Sequence, residues 1–354
     1  VAWTSPLGET RPTAFASHRH APYLPVERRR RPPDDGGLFS DFKVLPVFRS
    51  VLRAAALGGL LLLSACASVH IPATPQTAFG RSETSTLSEG VTYWSETREN
   101  PLRQVFHVVR LDLANPKVQL FVSPPNDGAG QYHARTTSDF VTASGALLAV
   151  NASYFTPFKP GARGGDDFVP HAGQHVDPVG KVIVAGAVVA PPEVPELDPR
   201  VNAILCIHPS FVEIRSGHTC RWDVIDAVAA GPVLLVDGAE QSFKHAGPKY
   251  AADRHPRTAL GVSADGRTGW LVVVDGRQTV ISEGATLAEL TAFFRDLGAA
   301  DAINLDGGGS TTLAVDDGFG RPRVLNSPIH TGVPGRERPV ANQLGVRVLD
   351  APSP

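Results

Sequence analysis

Methionine is missing from all 354 residues, even at position one. Val1 is therefore read as a literally translated alternative start codon, and the first stretch is expected to lie outside the natural protein. Charge of one sign is lacking as well. The 33 basic and 35 acidic residues leave a net charge of -2, which removes the electrostatic case for nucleic acid as a partner. No apolar run near the N-terminus is long enough to span a bilayer by itself, so no permanent transmembrane helix is expected. The glycines at 307–309 have no lysine after them, which excludes a P-loop. There are three cysteines and no Cys-x-x-Cys spacing, so a structural metal pair has little frame to stand on.

What is present describes a soluble globular chain. Hydrophobic residues make up 42%, and 34 glycines with 31 prolines favour a loop-rich, strand-rich fold over a helical bundle. The length fits one large or two modest domains. Residues 1–43 mix Pro, Arg and Gly without period, including Arg28-Arg29-Arg30-Arg31-Pro32-Pro33, and are read as a disordered or non-native extension.

Residues 44–65 carry more information. Arg49 and Arg53 precede an apolar stretch from Ala54 to Leu63, and Leu63-Ser64-Ala65-Cys66 follows. The arrangement resembles a bacterial lipoprotein signal peptide. It implies a start at Val44, Val47 or Val51, cleavage before Cys66, and a lipid anchor on that cysteine. The mature chain would then sit on the periplasmic side of the cell envelope. Removing Cys66 leaves Cys206 and Cys220, an even pair in an oxidising compartment, read as a disulfide stapling a hairpin-like region. A metal pair with His208 or His218 is the alternative.

After a polar linker, 66–90, the pattern turns to short strands. Residues 104–113 and 117–122 read as a pair around Asn115-Pro116. Thr136 with Asp139 opens a short helix that Gly145 closes. Residues 146–150 form a buried strand running into Asn151, which either orients a ligand hydroxyl or caps a turn. The loop 157–178 holds Asp166, Asp167, His171, His175 and Asp177, and reads as a surface loop or an active-site rim. The two histidines invite a metal reading, but no helical pattern supports their spacing. Thr258 to Val262 and Trp270 to Val274 flank the hairpin turn Asp265-Gly266. Thr286 and Glu289 make a capping box for a helix with Leu287, Leu290, Phe294 and Leu297 on one face, stopped by Gly298.

Asn304-Leu305-Asp306-Gly307-Gly308-Gly309-Ser310-Thr311-Thr312 follows one apolar run and precedes another. Three glycines let backbone N–H groups converge on one point and favour an anion. The alternative is a glycine-rich hairpin turn with incidental polar neighbours. Chain order strand, helix, strand allows a crossover that would set this loop at the carboxyl end of its strand, where open α/β sheets bind ligands.

Together the blocks Asn304 to Thr312, Arg257-Thr258-Ala259-Leu260-Gly261, Asp275-Gly276-Arg277, Asn326-Ser327-Pro328 and Arg338-Pro339-Val340-Ala341-Asn342 resemble the phosphodiester glycosidase family. Asn151 to Phe155 occupies the place of that family's Asn-Gly-Gly-Tyr/Phe-Phe, with Ala152 and Ser153 replacing both glycines. The resemblance implies an α+β fold with a mixed β-sheet core and few flanking helices, in one catalytic domain over 91–350. It implies hydrolysis of a sugar-1-phosphodiester, such as a phosphorylated envelope glycan, without cofactor or metal. Asn151, Arg257, Arg277, Asn304, Gly307, Gly308, Gly309, Ser310, Thr311 and Arg338 are then the expected substrate contacts. Asp306 is expected to stabilise an oxocarbenium-like transition state, with Asp177 or Asp275 activating water. Two other readings stay open: a lipid-anchored module that binds phosphorylated glycans without turnover, and a metal-assisted phosphodiesterase using His171 and His175 to cut the P–O bond. Oligomeric state is not legible from these residues.

Overall fold

Arg257–Val262 is buried at every position and Thr268–Val274 at all but its first, so these strands must be covered on both faces. The computed structural model describes residues 80–99, 102–126, 131–190 and 198–349. The expected signal segment, Cys66 and the expected linker up to residue 79 lie outside those residues. From Gly80 the remainder of the expected linker is already strand, with Gly80–Arg81 and Ser85–Ser88 both pairing to Val91–Arg98.

The two buried strands form the expected hairpin, in register from Arg257 opposite Val274 to Val262 opposite Gly269. They sit at the centre of a nine-stranded sheet. Two five-stranded sheets and a three-stranded one complete the described structure. Every ladder between named strands is antiparallel. The expected mixed core is thus corrected to a stack of antiparallel sheets. Thr268–Val274 and Asp301–Asn304 do run parallel to one another, but Arg257–Val262 lies between them and pairs antiparallel with both. The helical crossover therefore exists, spread over a strand that is already in place.

The expected pairing of 104–113 with 117–122 is also corrected. Gln104–Asp112 pairs with Val91–Arg98 and Thr268–Val274 in the large sheet, whereas Val118–Val122 pairs with Gln343–Val348 in a five-stranded one. Asn115-Pro116 turns the chain from one sheet into another. A single apolar cluster, including Val109, Leu111, Val150, Leu205, Val228, Leu260, Val273 and Leu344, joins the nine-stranded sheet to both five-stranded sheets.

The opposite face of the large sheet is covered by helix Leu287–Leu297. Its capping box is formed and Gly298 closes it in the left-handed region. Leu287, Leu290, Phe293 and Phe294 pack on Phe106, Val108, Ala259 and Val272, with Leu297 at the margin. A Cβ at Gly261 would stand 2.5 Å from the Phe294 ring, so this glycine sets how closely the helix can approach. Helix Thr137–Ser144 covers the sheet that ends at Asn151, with Thr136 as its cap and Gly145 at its close. The disulfide Cys206–Cys220 ties strand Ala203–Ile207 to the segment beyond its partner, Val212–Ser216.

Candidate active site

The glycine loop is not a hairpin turn. It leaves strand Asp301–Asn304 of the nine-stranded sheet and enters Leu313–Asp316 of a five-stranded sheet, so it crosses the seam between the two. One short helical turn, Gly308–Ser310, carries the crossing, with Gly308 at φ +64°.

Asn151 pins this seam. Its side-chain amide donates to the backbone carbonyl of Asp306, while its carbonyl oxygen accepts from the Thr258 hydroxyl at 2.7 Å and the Thr312 amide at 3.2 Å. Asn151 is fully buried and joins three strands, the capping alternative on a larger scale. Ala152 and Ser153 are equally buried. Ala152 accepts the Asp306 amide through its carbonyl, and Ser153 is clamped through both backbone and hydroxyl by Asn342. Their departure from the glycine pattern falls on scaffold behind the loop.

In front of the loop lies a cavity of about 510 Å³, lined by Asp306, Gly307, Gly308, Gly309, Arg257, Arg277 and Arg338 together with Tyr154, Phe155, Phe158, Asp198, Arg200, Tyr250 and His255. The structure thus brings Asp306, the three glycines and all three predicted arginines to one place. Asp306 retains partial exposure on the cavity side, and burial pushes its carboxyl above the usual range. The Arg338 guanidinium, the Ser310 hydroxyl, Arg200 and the Gly307 amide pull it back.

The arginines divide by role. Arg257 is 1% exposed and donates to the backbone carbonyls of Ala285, Tyr250 and Asp253, so it organises the cavity wall more than it receives a ligand. Arg277 adopts φ +59°, a strained conformation for a non-glycine residue, and its guanidinium lies against Gly308. Arg338 lies against Gly309, where an added Cβ would stand 2.4 Å from a terminal nitrogen. Each of these two also donates to an imidazole: Arg277 to Nδ1 of His255 at 3.2 Å, and Arg338 through Nε to Nδ1 of His330 at 3.1 Å. Burial and the neighbouring guanidiniums lower both histidines to about 4. They are therefore neutral at pH 7 and accept through Nδ1. Burial also lowers Arg338, to about 10.

Asn304 is fully buried and does not line the cavity; its amide meets the hydroxyls of Tyr154 and Tyr250, which do, and the Gly231 carbonyl. Ser310 accepts from Arg338 at 3.1 Å, and Thr311 is buried in the loop. The two other proposed acids are elsewhere. Asp275 is 2% exposed and bound to His107, Asn326 and the Ser327 amide. Asp177 is exposed beside His175 at 3.5 Å. Neither lines the cavity, and neither do His171 and His175. Among the described residues no cluster of three His, Cys, Asp or Glu side chains is disposed to hold a metal.

Sequence reasoning passed over Phe158, Asp198, Arg200, Tyr250, His255 and His330. Arg200 pairs with Asp198 at 2.8 Å through Nε and stacks over the Tyr154 ring at 4.1 Å and the Tyr250 ring at 5.0 Å. Only the blocks around His255 and His330, adjacent to Arg257 and Arg338 in the chain, carried any signal.

An antiparallel fold that gathers a carboxylate and two guanidiniums on a glycine loop makes this cavity the candidate site. The chain belongs to the phosphodiester glycosidase family, whose profile matches residues 144–347, more than half of its length. A prophage-derived uncharacterized protein, YomE of Bacillus subtilis (strain 168), is 36% identical over 99 residues, which is 24% of this chain and only 15% of that relative's length. Among solved structures, the catalytic domain of zebrafish N-acetylglucosamine-1-phosphodiester alpha-N-acetylglucosaminidase, auto-inhibited by its pro-peptide, superposes with a TM-score of 0.52. Sequence identity there is 18%, covering 76% of this chain and 88% of that one. A Burkholderia pseudomallei protein described as exported gives a TM-score of 0.51 at 17% identity, over 69% of this chain and 74% of its own.

Proposed function

We propose that this protein hydrolyses the glycosidic bond of a sugar-1-phosphodiester, releasing the free sugar and a phosphomonoester. The observation that carries the reading is the placement of Arg277 against Gly308 and Arg338 against Gly309, with the Asp306 carboxyl in the same cavity. Cavity charges support an anionic ligand. Four arginines and two carboxylates line the cavity; Arg200 is paired with Asp198 and Arg257 is held by backbone carbonyls. Arg277 and Arg338 share Asp306 between them, which leaves cationic charge in front of the loop for the negative charge of a diester.

In this mechanism the two guanidiniums hold the phosphoryl oxygens, since the Gly307, Gly308 and Ser310 amides are already bonded to the Asp306 carboxylate and to the Pro256 and Gly307 carbonyls. The bond from the anomeric carbon to the phosphate oxygen breaks, and the electron pair leaves with the phosphate, which the arginines stabilise. Asp306 in its ionised form faces the electron-poor anomeric carbon, and water supplies the new oxygen. Phosphate is a good leaving group, so a strong general acid is unnecessary. Asp198 is the other carboxylate on the cavity wall, and its pairing with Arg200 suits it to orient a sugar hydroxyl or the water.

Hydrolysis in 18O-labelled water tests the reaction. Label in the sugar supports the glycosidase; label in the phosphate would replace it with P–O cleavage; no product across sugar-1-phosphodiesters would replace it with a binding protein. Family membership and likeness to a protein described as exported support action on glycans outside the cytoplasm. Lipid attachment at Cys66 belongs to the same proposal. Intact-mass measurement of membrane-extracted protein tests it, since an unmodified chain retaining residues 1–65 would contradict it.

A further inference from the structure

The two ends of the cavity differ in chemistry. At one, Asp198, Arg200 and Tyr250 offer charged and hydroxyl groups of the kind that pair with sugar hydroxyls. At the other, Phe155, Phe158 and Pro160 form an apolar wall. Arg338 fixes where this wall begins, because its guanidinium lies 4.7 Å from the centre of the Phe158 ring. Phe155 meets Phe158 edge to face at 6.0 Å. Phe158 remains 48% exposed, so the wall runs outward from the phosphate-holding arginine toward solvent. Lys159, the one charged residue in this run, is turned away to Asp167 at 3.2 Å. Thr156 supplies the only side-chain hydroxyl on that side.

We propose that the alcohol esterified to the far side of the phosphate is apolar, an alkyl or prenyl chain that lies along Phe158, Phe155 and Pro160. This rests on the reading that Arg277 and Arg338 hold the phosphate. With the phosphate there, the sugar meets the Asp198 and Arg200 end, where its hydroxyls find donors and acceptors. The ester's other arm leaves beside Arg338 and meets ring faces and a proline, which reward apolar contact and leave hydroxyls unpaired. The substrate class is then a sugar linked through phosphate to a lipid-like alcohol, and the released monoester is an alkyl or prenyl phosphate.

Calorimetric titration of the full chain with inorganic phosphate, methyl phosphate, butyl phosphate and octyl phosphate, below their aggregation limits, tests this without turnover. A fully buried methylene contributes about four-fold in affinity. Along a half-open wall roughly two-fold per methylene is expected, so octyl phosphate should bind on the order of 100-fold tighter than methyl phosphate. Phe158→Ser should cut that ratio to below about five-fold. Equal affinities across the series would overturn the proposal, as would an unchanged ratio in Phe158→Ser. A second arm compares kcat/KM for sugar-1-phosphate diesters of methanol, octanol and a second sugar. The octyl diester should be cleaved best, and preference for the disaccharide diester would overturn the assignment. If no diester is cleaved but the chain-length dependence of alkyl phosphate binding holds, the hydrolase reading fails while the apolar arm stands.

Discussion

Arg277 donates a terminal guanidinium hydrogen to Nδ1 of His255, and the pairing works only while the imidazole is neutral. Arg338 and His330 repeat it across the glycine loop. Both cavity guanidiniums are thus held in place by neutral acceptors, which leave their charge intact.

This arrangement fixes a pH dependence. Both histidines fall from 6.5 to about 4 on folding, so between those values the unfolded chain binds more protons than the folded one. Stability therefore rises with pH across that window, is complete above 6.5, and is lost as pH falls toward 4. Urea midpoints measured from pH 4 to 8 should show the rise, and the pair His255→Asn, His330→Asn should flatten it. Asparagine can present an oxygen near the Nδ1 position, so phosphate affinity at pH 7 should survive this pair better than His255→Leu with His330→Leu.

Asp306→Asn keeps the shape of the side chain and removes its charge. Turnover should fall by roughly 10²- to 10³-fold or more, on the scale of losing one preorganised electrostatic stabiliser. The variant should unfold at least as late as the parent at pH 7, because burial disfavours the charged form. Unchanged activity would remove Asp306 from the mechanism.

Asn151→Ala strips the seam of one donor and one acceptor and leaves the Asp306 carbonyl, the Thr258 hydroxyl and the Thr312 amide without their partner. Each buried orphan costs about 1–3 kcal/mol, so a stability loss of at least about 2 kcal/mol is expected by denaturant melt. A loss below about 0.5 kcal/mol would mean that water or a neighbour takes over all three bonds.

Gly309→Ala places a methyl group where the Arg338 guanidinium lies. That arginine must shift, and its bonds to His330 and Ser310 go with it. Phosphate binding should weaken by roughly ten-fold, the effect of one disturbed charge-assisted contact. Gly145→Ala is the control: its site is far from the cavity lining, so it should affect stability through its left-handed φ alone.

Local chemistry was readable where the sequence fixes a conformation by itself. The caps at Thr136 and Thr286, the hairpin around Asp265-Gly266 and the disulfide partners all follow from neighbouring residues, and all are formed. Pairing across sheets was not readable. Residues 104–112 and 118–122 look like a hairpin because they are adjacent and apolar, but the same apolar content suits them equally to separate sheets, and tertiary packing decides. The site shows the same limit. Asp306, Gly307, Gly308, Gly309, Arg277 and Arg338 stood out because they lie in the blocks that resemble the phosphodiester glycosidase family; the glycine run alone read equally well as a turn. Asp275 looked similar, yet its oxygens are occupied by His107, Asn326 and Ser327. Arg200 and Phe158 lie in loops whose patterning carries no information about what they face.

The five-stranded sheet on one side of the seam has a consequence for synthesis. Its order places Gln343–Val348 between Leu148–Asn151 and Val118–Val122, so two segments made early are held apart until the last strand arrives. Arg338 and Asn342 are made just before that strand. A chain made only as far as residue 337 therefore lacks both the strand that completes the sheet and the Arg338 guanidinium of the cavity. Contacts this distant in sequence form slowly.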